Sequence, residues 1–335
     1  MILHSPSSIL HPLAPKLLLS LAIITLIFGC NKPSQTTEAD GHSTTEEIVD
    51  HDLPKVAYGT IERIDSFPTE LVDPRTIDVW LPEGYSDEQK YQVLYMHDGQ
   101  MLYDSTVSWN KQEWGVDETM HRLITERKIE PTIVVGVFNS GENRRPDYFP
   151  QKAFETLPSA YLDTVASRTR KPREKVFSQS NKYLQFLVTE VKPYIDEHFS
   201  TRPEKAATFV AGSSMGGLIS MYAISEYPDM FEGAACLSTH WIGSIEAENN
   251  PMPKAFQDYL SEHLPDPANH KIYFDYGTET LDQYYEPHQL AVDEIMRAKG
   301  WTAEQWSTRK FDGDLHDERS WNRRLHIPLL FLLGK

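Results

Sequence analysis

From about residue 55 onward, short apolar runs alternate with longer stretches in which apolar residues recur every three or four positions. The runs are Thr76–Leu81, Gln92–Met96, Thr132–Val137, Ala207–Ala211, Gly233–Leu237, Lys271–Tyr276 and Trp306–Phe311. Several are almost unbroken in Val, Ile, Leu and aromatic residues, the pattern of strands covered on both faces. The intervening stretches predict helices at about 115–128, 181–199, 216–226, 253–263, 285–299 and 318–333. In the second, Leu184, Leu187, Val188, Val191 and Ile195 share one face, and Pro193 is expected to kink or divide it. This alternation predicts an α/β sandwich with a central, mostly parallel sheet. In such sheets functional groups collect at the carboxyl ends of the strands.

Two regions break the rhythm. Ser140 to Ser180 carries Arg and Pro clusters with weak periodicity, which reads as an insertion or a lid, with 165–178 a surface excursion. At the other break, Lys16 precedes Leu17–Phe28, apolar apart from Ser20 and Thr25, and the run ends in Gly29-Cys30. A membrane span needs about 20 apolar residues, so this shorter run reads as the core of an export signal. A small residue before a Cys at that place resembles the lipobox of bacterial lipoproteins, in which the Cys is acylated and opens the mature chain. Ile27, Phe28 and the weakly basic start depart from the commonest form. The resemblance implies a signal peptide at 1–30, lipidation at Cys30 and a location on the periplasmic face of a bacterial membrane; the alternative is an ordinary signal peptide that ends near a Cys, with a periplasmic or secreted protein. Residues 31–54 are polar and acidic, too poor in apolar side chains to offset ordering entropy, and read as a flexible tether. His42 and His51 within it are expected to be solvated. Residues 55–335 then form one domain.

Composition narrows the function classes. A chain of 335 residues that is 40% hydrophobic holds enough apolar surface for one large core. Its net charge of −17 argues against nucleic acid as a partner, which would need a basic patch. With Cys30 acylated, only Cys236 remains, so no intramolecular disulfide is available and stability must come from the core.

The strongest chemical signal is Gly212-Ser213-Ser214-Met215-Gly216, a G-x-S-x-G pattern between an apolar strand and a periodic helix. Small residues flanking Ser214 let strand and helix approach, and the tight turn lifts the hydroxyl clear of the sheet. The Met215 N–H, opening the helix, would face a developing oxyanion, assisted by the helix dipole. A serine hydroxyl needs an adjacent base. In α/β-hydrolases the order along the chain is Ser, acid, His, with the His in a loop after the last strand. His316 stands in that place, after Trp306–Phe311. His270, His288 and His326, by contrast, fall on or beside regular elements. The acid belongs in Gly277–Gln283, where Glu279 and Asp282 both qualify; Asp312, Asp314 and Asp317 sit too close to His316 in sequence to orient its ring. Met96-His97-Asp98-Gly99-Gln100-Met101 follows a strand and would supply the second oxyanion donor from the backbone of Gln100 or Met101. His97 and Asp98 point apart and have no third ligand nearby, so no metal site is read there. No cofactor is implied. His240, Trp241 and Asn139, just beyond strand ends, are expected to wall the pocket, with Trp241 available to stack on a sugar or an aromatic acyl group.

Taken together, YMHDGQMLYD, VVGVFN with the Arg-rich stretch after it, VAGSSMGG, DYGTETLD and GDLHDERSW resemble the "Putative esterase" family of α/β-hydrolases. That family includes esterase D, feruloyl esterases and enterochelin esterase modules, and the likeness runs from about Thr76 to the C-terminus. The resemblance implies Ser214 as nucleophile and His316 as base. It also favours Asp282, because esterase D has an Asp followed seven and eight residues later by Gln-Leu, here Gln289-Leu290. Two additional residues between Gly277 and Asp282 depart from that pattern and keep Glu279 in play. The expected reaction is hydrolysis of an acylated sugar, a hydroxycinnamate or a siderophore-type ester. The alternatives are a catalytically silent binding lipoprotein, which would normally have lost Ser or His, and a peptidase, which would normally carry an additional domain.

Overall fold

The computed structural model describes residues 53–169, 179–244 and 249–335. Residues 1–30 with Cys30, residues 31–52 of the tether and residues 170–178 of the predicted excursion lie outside them. Eight strands form one sheet: β1 Thr60–Phe67, β2 Arg75–Leu81, β3 Gln92–His97, β4 Thr132–Val137, β5 Thr208–Ser213, β6 Gly233–Leu237, β7 Lys271–Gly277 and β8 Trp306–Phe311. Their order is β1-β2-β4-β3-β5-β6-β7-β8. Only β2 is antiparallel to both neighbours, pairing β1 on one side and β4 on the other. From β4 through β8 every pairing is parallel. The carboxyl ends of β3 to β8 therefore share one edge of the sheet, and the loops leaving them build the site.

Every residue of β3, β4, β5 and β6 is buried, as expected of strands covered on both faces. Side chains alternate between two apolar layers. Val93 and Tyr95 of β3 join a layer with Val210, Leu218 and Phe256, while Leu94 and Met96 join Trp80, Leu102 and Leu329 on the other face. The first strand was not expected from the sequence. It is an edge strand of mostly exposed and half-buried residues with a bulge between Ile64 and Phe67, so it has no continuous apolar run to betray it.

The region from Ser140 to Thr169, expected as an insertion or a lid without periodic structure, contains regular elements. It forms short helices at Arg144–Tyr148 (α1), Gln151–Glu155 (α2) and Ser159–Thr169 (α3), whose Tyr148, Phe154 and Leu162, with Phe149 and Leu157 between them, are buried. Helices this short give no periodic signature. Pro193 does divide its helix: Ser180–Phe186 and Lys192–His198 are joined by a π turn at Leu187–Val191. A proline N cannot donate to the carbonyl four residues back, and the ladder widens to pass it. Pro328 has the same effect near the C-terminus. The single helix expected at 318–333 is two, Glu318–Arg324 and His326–Leu333.

Candidate active site

At the end of β5 the backbone of Ser214 adopts φ 58° and ψ −120°, a conformation that costs a non-glycine residue of order 1–3 kcal/mol. Gly212 permits it: a Cβ there would stand 2.7 Å from the backbone of Gly216, so any side chain would push strand and helix apart. The Ser214 N–H donates to the Leu237 carbonyl at 2.9 Å, and the Ser214 carbonyl accepts from His240 N–H at 3.2 Å. These bonds fix the turn against the end of β6. Helix Met215–Glu226 starts immediately after Ser214, so the Met215 N–H belongs to the unpaired first turn at the positive end of the helix dipole.

His316 lies in the loop after β8. Its N–H donates to Thr280 Oγ1 at 2.9 Å, and its Nδ1 meets Asp282 Oδ1 at 2.5 Å. Of the two candidate acids, Asp282 is thus the one in contact; Glu279 is exposed. Asp282 is buried, and its other oxygen accepts from Ser238 Oγ and Gly277 N–H, both at 2.6 Å. Ser238 Oγ accepts in turn from Trp321 Nε1 and Arg324 Nη2, each at 2.9 Å. Arg324 is anchored on buried Asp275 at 2.8 Å. Gly277 is needed for this approach, since a Cβ there would lie 2.2 Å from the Asp314 carbonyl oxygen. Ser238, Asp275, Trp321 and Arg324 were not singled out from sequence. They come from three separate stretches of the chain, and although Asp275 and Trp321 fall within motifs of the family resemblance, nothing in the spacing joins the four.

The other aspartates near His316 have separate tasks. Asp317 caps the helix Glu318–Arg324 by accepting from Ser320 N–H, and Asp314 pairs with Arg323 and Arg324. His270 is held by two backbone carbonyls, those of Asp266 and Pro228.

Ser214 and His316 open into one cavity of about 670 Å³. Gln100, Met101 and Asn139 line the same cavity. The Met101 N–H already donates to the Asp98 carbonyl at 2.9 Å, which leaves Gln100 as the better-placed donor of the two. Asp98 precedes that turn in the left-handed region, φ 59°. Its carboxylate is clamped by Arg144, Nε and Nη2 each at 2.6 Å, and by Asn139 Nδ2 at 2.7 Å. Burial opposes ionisation of Asp98, but the Arg144 charge and hydrogen bonds outweigh it and hold the carboxyl below its usual range. Asp98 and His97 do diverge. His97 is buried, its Nδ1 is 2.8 Å from the Tyr183 hydroxyl, and burial pushes it down to about 3. Among the described residues no group of three His, Cys, Asp or Glu gathers as a metal site.

Two pocket expectations need correction. Trp241 is 1% exposed, donates from Nε1 to Gln289 and packs on Phe256 and Phe274. It is a core residue, because the chain after β6 turns inward and not along the rim. His240 is buried too and lies behind Ser214, with Nδ1 2.8 Å from the Tyr285 hydroxyl. The indoles that line the cavity are Trp109, Trp114 and Trp321, and Trp109 is 82% exposed. Trp109 and Trp114 come from a loop after β3 and Trp321 from the helix Glu318–Arg324; Trp114 and Trp321 are largely buried in the core and only edge the cavity.

A serine on a strained strand-to-helix turn, at the carboxyl edge of a sheet in which β2 alone is reversed, is the α/β-hydrolase arrangement. The chain belongs to the family described as "Putative esterase", which it matches over residues 69–327, and it is a carboxylic ester hydrolase. The protein YbbA of Bacillus subtilis strain 168, itself uncharacterized, is 24% identical over 268 residues, covering 78% of this chain and 93% of its own. An endo-1,4-beta-xylanase/feruloyl esterase of Xylanibacter ruminicola is 27% identical over 206 residues, 60% of this chain but 24% of that longer protein. A solved ferulic acid esterase superposes with a TM-score of 0.59 at 20% identity, covering 82% of this chain and 98% of that one. At that identity the likeness speaks for the fold alone.

Proposed function

We propose that the protein hydrolyses acyl or hydroxycinnamoyl esters of sugars through an acyl-enzyme on Ser214. His316 takes the Ser214 proton as the hydroxyl attacks the ester carbonyl, then returns it to the leaving alcohol. Asp282 fixes the imidazole tautomer and stabilises the imidazolium. The N–H groups of Met215 and Gln100 hold the oxyanion, each worth about 10²–10³ in rate. Water activated by His316 then releases the acid. The observation that carries the reading is the Asp282–His316 contact of 2.5 Å at the mouth of the cavity that Ser214 lines.

The sugar-ester assignment rests on the cavity wall. Trp109 offers an exposed indole face, while Asn110, Gln112 and Asn139 offer amides suited to hydroxyl groups. Asp317 and Glu318 beside His316 set negative charge against polyanionic substrates, which disfavours siderophore-type esters. The feruloyl esterase activity named for the Xylanibacter relative is consistent with this class.

Fluorophosphonate labelling and turnover of feruloyl, acetyl-sugar and catecholate esters test the reading. Ser214→Ala should abolish both signals while leaving thermal unfolding unchanged. Labelling that survives Ser214→Ala would overturn the acyl-enzyme, and preference for the catecholate ester would overturn the substrate class. We place the enzyme on the periplasmic face of a membrane through acylated Cys30, a reading supported by the Leu17–Cys30 segment. Palmitate incorporation lost in Cys30→Ala is its test, and incorporation that persists would refute it.

A further inference from the structure

The carboxylate beneath His316 is gripped by a side chain that a Ser–His–Asp scheme does not require. Ser238, directly after β6, is 0% exposed and stands in the left-handed region, φ 42°. Its backbone N–H is held by Asp275, through the carbonyl at 2.9 Å and Oδ1 at 3.1 Å. A glycine would take that φ without the steric cost that a side chain meets there. The hydroxyl that serine keeps is fully used. Its oxygen accepts from Trp321 Nε1 and Arg324 Nη2, each at 2.9 Å, and its proton goes to Asp282 Oδ2 at 2.6 Å. A hydroxyl has one donor and two acceptor sites, so the two incoming donors leave the proton a single direction, towards the carboxylate.

Direction matters because an Asp carboxylate turns easily about its last torsion, whose wells are broad and roughly twofold. Asp282 must keep Oδ1 on His316 Nδ1 while the ring gains and loses a proton. Two donors from different strand ends hold the opposite oxygen, Ser238 Oγ after β6 and Gly277 N–H at the end of β7. Hydrogen bonds received by the Ser238 oxygen polarise its O–H and strengthen the bond it donates. Those received bonds come from the helix Glu318–Arg324. Arg324 is 2% exposed and pinned by Asp275 Oδ1 and Asp314 Oδ2, each at 2.8 Å, which fixes its Nη2 on Ser238. Trp321 stands between the two sites, its ring edge-on to His316 with centroids 5.2 Å apart.

We propose that Ser238 is a positioning residue for the catalytic base, and that Trp321 and Arg324 act on that base through its hydroxyl. The inference rests on the Ser214 acyl-enzyme reading above. It extends the Ser–His–Asp machinery into a chain of hydrogen bonds that runs from Arg324 and Trp321 through Ser238 and Asp282 to His316. No proton passes along this chain. Ser238 keeps its own, and the bond it donates decides which carboxylate oxygen faces the imidazole. The effect falls on kcat, because the ring is charged in the transition state and its partner must then be in place. Binding is spared, because Ser238 does not line the cavity.

Steady-state hydrolysis of 4-nitrophenyl acetate, with thermal unfolding measured alongside, tests the proposal. Ser238→Ala should lower kcat about 10–100-fold, the range of one hydrogen bond to a charged group, with KM within about twofold of wild type. Ser238→Gly should lose as much kcat although it melts above Ser238→Ala, because glycine relieves the positive φ. Trp321→Phe keeps an aromatic edge beside His316 and loses the indole N–H. Its kcat penalty should be about 3–10-fold in the wild-type background and within about twofold in Ser238→Ala, since the N–H acts through the hydroxyl. A Ser238→Ala kcat within about threefold of wild type, or a loss carried by KM, would overturn the proposal. So would a kcat that recovers with the melting temperature in Ser238→Gly, or equal Trp321→Phe penalties in the two backgrounds. Failure of the underlying reading is recognised separately, by hydrolysis that persists in Ser214→Ala.

Discussion

Replacing Asp282 by Asn removes a charge without removing volume, and the surroundings dictate which way the new amide must face. The Oδ2 side of Asp282 receives two donors at 2.6 Å, Ser238 Oγ and Gly277 N–H. Ser238 cannot turn into an acceptor there, because Trp321 and Arg324 already donate to its oxygen and commit its own proton towards the carboxylate. In the Asp282→Asn enzyme the amide oxygen must therefore take the Oδ2 position, and the NH₂ then faces His316 Nδ1. Nδ1 has to be bare to accept it, so the ring proton moves to Nε2, on the side that should receive the serine proton. A histidine locked in that tautomer is an acid where a base is needed. Loss of kcat should be about 10⁴, as for the equivalent change in other serine hydrolases, or about 5.4 kcal/mol of transition-state stabilisation. Steady-state hydrolysis of 4-nitrophenyl acetate reads the loss, with thermal unfolding as the check on folding. Exposed Glu279 provides the control, and Glu279→Gln should leave kcat unchanged. An Asp282→Asn enzyme within about tenfold of wild type, or a larger loss in Glu279→Gln, would refute the reasoning.

Arg144→Ala should free Asp98 from its two-pronged hold and let the turn carrying Gln100 relax. A kcat loss of about 10–100-fold with little change in KM is expected, a fraction of a full oxyanion donor; an unchanged kcat would show that the turn holds itself. His97→Asn tests linkage. Its imidazole titrates near about 3 in the fold because of burial, against 6.5 unperturbed. The unfolded chain therefore binds the extra proton first, and wild type loses stability as pH falls from about 6.5 towards about 3. Asn has no such proton. The melting temperature of the variant minus that of wild type should rise through that window, and a constant difference would refute the assignment.

Much of the site was legible because its chemistry demands local patterns. A sharp strand-to-helix turn requires Gly212 and Gly216 around Ser214, and a base after the final strand left His316 as the one suitably placed histidine. The choice between Asp282 and Glu279 was less secure. Both follow β7, and only the folding of the loop over Ser238 and Gly277 buries one of them. Trp241 shows the reverse failure: its position after a strand end suggested the pocket, but side-chain direction after a turn is set by what packs there, here Phe256 and Phe274.

Periodicity in the chain alone determined the order of β2 to β8 and of the longer helices between them, because period two and period 3.6 are properties of the backbone that side chains must satisfy locally. Motif spacing alone picked out Ser214 and His316 for the proposed roles of nucleophile and base. Which acid binds the imidazole and which tryptophans reach the cavity were decided by the tertiary structure. Those contacts join residues tens to more than two hundred positions apart. Their energies depend on burial and direction, which exist only once the sheet has brought the loops to one edge.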